Sequence, residues 1–327
     1  ERTIMRLMSM SALCLLAIVL SVVAAGCTGG AGGSGNLGGG EGEQKVDLSG
    51  LEITVGSKEF TEQLVLGQIA IQALKARGAT VTDRTGLAST DAAREALTSG
   101  QIDAYWEYTG TGWLVHLNHN EPIPNPQRQY DAVAEEDLSE NRLRWLKPAP
   151  ANNAYAIAVR SEAAGVLGVT SLSELAVLTE LRPENATLCA EREFLDRELD
   201  GLPGMEEAYD FQFPEDNIVE MDAGQIYKVI DEGEECIFGE VFETDGRIEA
   251  FDLTLLKDDE NFLPIYNPSL NVREEIMDDY PGIAEVLTPI SRKLDNETLR
   301  GLNAAVDVDG ERPEDVARQF LRENGLL

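Results

Sequence analysis

The sequence predicts an α/β protein folded in two lobes, and three observations carry that expectation. Apolar runs of strand length alternate with amphipathic helical runs from Leu51 onward. The alternation restarts on a smaller scale after a strongly apolar strand at Ala154–Val159. Finally, 327 residues with 43% hydrophobic content are more than one compact core usually organises, and only 13 prolines interrupt them.

Leu51-Glu-Ile-Thr-Val55 alternates apolar with polar residues and stops at Gly56, the pattern of a strand with one buried face. Phe60–Ala76 then carries Leu64, Gly67, Ile71 and Leu74 on one helical face and ends before Gly78. Thr80–Arg84 gives a second strand, Thr90–Thr98 a helix closed by Gly100, and Ile102–Tyr108 a strand leading into Thr109-Gly-Thr-Gly112. This rhythm implies a sheet covered by helices. A proline-rich patch at Glu121–Pro126 and an acidic helical segment at Tyr130–Leu138 precede Ala154–Val159, where the chain is expected to change lobe.

In the second run, Ser171-Leu-Ser-Glu174 is a capping box that opens a helix. A strand around Leu188 follows, then a helix near Gly224–Ile230 closed by Gly233, and the strand Cys236–Phe242. Beyond Asp245-Gly-Arg come extended segments at Phe251–Leu256 and Phe262–Tyr266, then helices. The last, Pro313–Glu323, starts on proline and stops at Gly325. If these segments rejoin the first sheet, the chain crosses between lobes twice and leaves a ligand cleft between them.

The charge bounds the partners. Fifty-nine Asp and Glu against 26 Lys and Arg give −33, a balance that leaves no electrostatic footprint for a phosphate backbone, so nucleic acid is not expected as a partner. The first 45 residues carry three acids and three bases, so the whole deficit belongs to Val46–Leu327. Such a surface suits either a salt-adapted source, where screening tolerates self-repulsion, or a generally acidic extracytoplasmic protein.

The N-terminus is an address. Arg2 and Arg6 precede the apolar stretch Ser11–Ala25, which has signal-peptide length and ends in small residues. Ala24-Ala25-Gly26-Cys27 resembles a bacterial lipobox, whose cysteine is lipid-modified, although Ala24 stands where Leu or Val is usual. Ten glycines in Gly26–Gly42 then make a flexible tether. The expected boundaries are a signal at 1–26, a lipid-anchored tether at 27–48, a first lobe from 51–151 and 250–327, and a second lobe at 152–249. An uncleaved membrane anchor and an ordinary cleaved signal are the alternatives, and each places the body outside the cytoplasm. With Cys14 in the leader, Cys189 and Cys236 remain as either a disulfide or two buried free thiols.

Enzyme chemistry finds little support. His116 and His119 are the only histidines and read as surface or loop residues, and outside the glycine-rich tether no GxGxxG, GxxxxGK[ST] or GxSxG occurs. Among 59 acids, any carboxylate spacing arises by chance. No cofactor or metal is expected. Aromatic residues make up only 6% of the chain, yet Tyr108 and Phe242 end strands, Tyr155 opens one, and Tyr266 sits between Pro264-Ile and Asn267-Pro. Strand ends at a lobe interface are where α/β sheets bind ligands.

Five segments carry a resemblance: Gly56-Ser-Lys-Glu-Phe-Thr-Glu-Gln63, Glu107-Tyr-Thr-Gly-Thr-Gly112, Asn152-Asn-Ala-Tyr155, Thr244-Asp-Gly-Arg-Ile248 and Leu256-Lys-Asp-Asp-Glu-Asn-Phe-Leu-Pro-Ile-Tyr266. In order and spacing they are similar to the substrate-binding proteins of osmoprotectant (glycine betaine, carnitine, choline) ABC importers, from about Leu51 to Leu327. The resemblance implies a two-lobed periplasmic-binding-protein fold with a hinge, working as a monomer that captures a quaternary-ammonium solute without catalysis. It further implies delivery to an ABC permease and attachment to the membrane through the lipid anchor. Alternatives from other classes are a ligand-sensing module coupled to a regulator and, further off, a two-lobed hydrolase.

The resemblance also implies site residues. Tyr108, Tyr155, Phe242 and Tyr266 match an aromatic box around a trimethylammonium, a cation that cannot lose a proton or donate N–H bonds and so is held by ring faces. Phe242 stands where relatives often carry Tyr. Lys58 and Thr111 match positions at the ligand's other end, with Arg197 adding to them; a cation and a hydroxyl suit a carboxylate, and Lys58 is expected to disfavour choline.

Overall fold

Two five-stranded sheets, each covered by helices, divide residues 46–327, the part of the chain that this computed structural model describes. The expected signal peptide, Cys27 and the tether up to residue 45 lie outside the described residues. Val46 and Leu48, expected in the tether, instead pack on the first core, where Leu48 is 2% exposed.

The first sheet begins with β1 (Glu52–Lys58) and β2 (Thr80–Leu87), which pair in parallel, Ile53 opposite Val81. The helix Thr61–Lys75 between them buries Val65, Leu66, Ile69, Ala70, Ala73 and Leu74 on the sheet. The helix Thr90–Thr98 is capped by the Ser89 hydroxyl, which accepts from the Ala92 N–H, and leads into β3 (Ala104–Tyr108). The helix Pro126–Asn141 and the short β4 (Leu143–Trp145) follow. The strand order is completed by β10 (Pro268–Arg273), which lies antiparallel between β3 and β4.

The second sheet repeats the plan. Its strands are β5 (Tyr155–Arg160), β6 (Leu188–Ala190), β7 (Ile218–Glu220), β8 (Phe238–Phe242) and β9 (Leu253–Leu255). Strand β6 runs parallel to β7 and β8, while β5 lies antiparallel between β8 and β9. In each sheet the antiparallel fourth strand is the one that enters directly after a crossing from the other lobe. The helix Leu172–Leu181 starts at the expected cap, with the Ser171 hydroxyl accepting from the Glu174 N–H, while the Glu174 carboxylate accepts from Thr170, one residue before the cap. Gly233 closes the helix Ala223–Glu232 in the left-handed conformation at φ 64°, which glycine adopts without strain. Cys189 in β6 is joined to Cys236, just before the neighbouring β8, by a disulfide with Cα atoms 5.7 Å apart.

Two expectations need correction. Leu253–Leu255 pairs with β5, so the second sheet extends past the boundary expected at 249 and the return crossing runs from 256 to 267. Phe262–Tyr266, expected as an extended segment, joins neither sheet, and Phe262 and Leu263 pack on the second core. The two crossings run side by side, with Asn153 N–H donating to the Tyr266 carbonyl at 3.0 Å and the Asn152 side chain accepting from Tyr266 N–H at 2.7 Å.

Candidate ligand-binding site

The crossings decide where the aromatic residues meet. Tyr155 opens β5 and Phe242 ends β8, and they are direct cross-strand partners. Tyr108 ends β3 opposite Pro268, two residues after Tyr266. One end of each sheet therefore presents rings to the same gap. Tyr155 lies 5.4 Å from Phe242 and 6.1 Å from Tyr266, edge-on to the latter. Phe60, at the N-cap of the first helix, stacks on Phe242 at 5.5 Å and on Tyr108 at 6.3 Å, closing the ring of aromatics. Gly110 lets Tyr266 approach, since a Cβ there would stand 2.6 Å from a Tyr266 ring carbon. Sequence reasoning passed over Phe60, although it lies inside the Gly56–Gln63 motif.

A cleft of about 1110 Å³ contains all seven expected ligand residues, Lys58, Tyr108, Thr111, Tyr155, Arg197, Phe242 and Tyr266, in its walls. The two cations, however, already have partners. Lys58 Nζ lies 2.8 Å from Glu107 Oε1 and donates to Thr90 Oγ1 at 3.1 Å, leaving one of its three N–H groups. Glu107 is fully buried and accepts from Tyr105 OH at 2.9 Å and Tyr108 N–H at 2.8 Å. Burial opposes its charge, but the Lys58 ammonium and His116 outweigh it and hold the carboxyl well below the usual range. His116 is thus not a surface residue: its ring is buried, with Nε2 3.0 Å from Glu107 Oε2. His119 stacks on Trp113 and meets Glu136 at 2.9 Å.

Arg197 pairs with Asp200 through two nitrogens and with Glu193 at 3.0 Å, rather than with its sequence neighbours Asp196 or Glu198. Asp200 also accepts from the Tyr266 hydroxyl, so guanidinium, carboxylate and box tyrosine form one unit. The guanidinium carbon stands 5.6 Å from the Tyr155 ring centre. Across the cleft, Thr90 Oγ1 reaches Glu193 Oε1 at 3.3 Å, joining a first-lobe helix to the second lobe. Glu191, also in the cleft wall, is pushed up to about 7 by burial and by the charge of Glu193.

Five rings gathered at one cleft, polar groups beside them and two lobes joined by paired crossings are the arrangement of a solute-binding protein. The comparisons agree. Residues 52–323 match the substrate binding domain of ABC-type glycine betaine transport systems, and the chain belongs to that family. A glycine-betaine-binding protein of Pseudomonas aeruginosa is 42% identical over 280 residues, covering 84% of this chain and 88% of its own. The glycine betaine-binding protein YehZ of Escherichia coli is 36% identical over 84% of this chain and 90% of its own. The solved apo structure of YehZ superposes with a TM-score of 0.66 at 35% identity, covering 84% of this chain and 99% of that one. These relatives are substrate-binding proteins of transporters, a class that works outside the cytoplasm with a small-molecule ligand and an ABC permease as partners.

Proposed function

We propose that this chain captures glycine betaine or a closely related quaternary-ammonium solute and performs no chemistry on it before the permease receives it. The observation that carries the ligand class is the box: five rings from separate segments, Phe60, Tyr108, Tyr155, Phe242 and Tyr266, at one cleft. Each ring face that replaces water around a permanent cation contributes about 0.5–2 kcal/mol. The ligand's carboxylate meets the remaining N–H of Lys58, the Thr111 hydroxyl and the edge of the Arg197 unit. In this reading 51–151 with the return segment forms one lobe, the second lobe runs to Leu255, and Cys27 bears the lipid that holds the monomer to the outer face of the cell membrane.

Calorimetric titration with glycine betaine, proline betaine, carnitine, choline and glutamate tests the ligand class. Binding of one or more methylated ammonium compounds and none of glutamate is expected. Binding of glutamate with indifference to every quaternary ammonium compound overturns the proposal.

A further inference from the structure

Glu62 is the one carboxylate of the cleft wall that is wholly buried yet meets no cation within ion-pair distance among the described residues. Four neutral donors converge on it instead. Oε1 accepts from Tyr108 OH at 2.7 Å and Asn153 Nδ2 at 3.0 Å; Oε2 accepts from Thr244 Oγ1 at 2.5 Å and Asn303 Nδ2 at 3.2 Å. Oε1 thus takes one bond from the first lobe and one from the crossing, and Oε2 one from the first lobe and one from the second. Tyr108 and Asn303 belong to β3 and to the helix Asn296–Asp307, whereas Asn153 lies in the crossing and Thr244 follows β8. The same region is fastened again beside it: Asn303 donates to the Thr244 carbonyl at 2.9 Å and Arg300 to the Glu243 carbonyl at 2.8 Å.

An ionised carboxylate is an acceptor only, and four donors saturate it. Burial favours the neutral acid and keeps the pKa of Glu62 raised even against the four donors, so the carboxyl is satisfied only while all four groups face it. Opening the lobes would carry Thr244 away from the helix that bears Glu62 and break the bond that ties this carboxyl to the second lobe. We propose that Glu62 is a positioning residue that clasps the two lobes in the arrangement described here and, through the Tyr108 hydroxyl, locks one wall of the aromatic box to that arrangement. Ligand affinity then depends on Glu62 without any contact between it and the ligand, because apparent affinity scales with the fraction of molecules in the competent arrangement.

The effect on affinity rests on the proposed ligand class, whereas the effect on shape does not, and the test separates them. Small-angle X-ray scattering of ligand-free parent and Glu62→Gln gives the overall dimensions, and titration with glycine betaine gives affinity. Glutamine keeps the shape but presents an NH2 group to two of the four donors, so Glu62→Gln should have a larger radius of gyration and bind glycine betaine about tenfold or more weakly. If Glu62→Gln does not fold, Thr244→Val, which removes only the second-lobe donor, should give the same pair of changes. Unchanged dimensions in the folded variant overturn the clasp, whatever the affinity does. Larger dimensions with unaltered glycine betaine affinity overturn the coupling to the box. If the parent binds no quaternary ammonium compound, the ligand assignment fails while the scattering comparison still decides the clasp.

Discussion

Replacing Lys58 with alanine separates two jobs that this lysine can do. Its ammonium lies 2.8 Å from Glu107, and the two side chains are 7% and 0% exposed. Removing one partner of a buried pair leaves an uncompensated charge at a cost of about 3–5 kcal/mol. Glu107 retains His116, Tyr105 and the Tyr108 N–H as neighbours, so the low end, about 3 kcal/mol, is expected. For a domain of this size that corresponds to a fall of about 6–12 °C in melting temperature. Adding Glu107→Gln to Lys58→Met should recover much of it, because no charge is then left buried. Since two of the three ammonium N–H groups face Glu107 and Thr90, the loss of glycine betaine affinity should exceed that of choline by about tenfold at most, the low end of what one charge-assisted hydrogen bond contributes. Thermal melts with parallel titrations of both ligands check this. An unshifted melting temperature together with a hundredfold selective loss of glycine betaine would refute the pairing and assign Lys58 to the ligand's carboxylate.

Three further outcomes follow from other parts of the molecule. Tyr155→Ala and Phe242→Ala, which remove facing rings of the box, should each weaken quaternary-ammonium binding at least about tenfold, with Phe242→Tyr binding at least as well as the parent; calorimetry that finds both alanine variants equal to the parent refutes the box. Reduction of the Cys189–Cys236 bridge, whose ends are 47 residues apart, should lower unfolding free energy by roughly 4 kcal/mol in urea titrations; two thiols that alkylate without reductant would show that no bridge forms. Glu191 is pushed up to about 7 by burial and Glu193, from an ordinary 4.5, so between these values the folded state keeps a proton that the unfolded state has released. Its stabilising contribution is complete below about pH 4.5 and is lost as pH rises through about 7. The parent should lose more stability across that window than Glu191→Gln, and parallel urea curves with equal pH dependence would refute the assignment.

The alternation of strands and helices, the capping box at Ser171, the helix stop at Gly233 and the start of the final helix at Pro313 were legible because each is set by residues within a few positions of one another. The strand-end rings Tyr108, Tyr155 and Phe242 were legible for the same reason, since placing a ring at a strand terminus needs only the local pattern. Which strand the chain adds to a sheet is a long-range choice: β9 joins β5 rather than the first lobe because its backbone groups find β5's free edge, and nothing in Leu253–Leu255 itself records that. Charge pairing is harder still to read. Among 59 acids, Lys58 takes Glu107 and Arg197 takes Asp200 because folding brings those carboxylates into dry, hydrogen-bonded positions, and burial rather than spacing makes a pair strong. Glu62 shows the limit: in the sequence it is an unremarked acid in a helix's first turn, and only the docking of two lobes surrounds it with four donors.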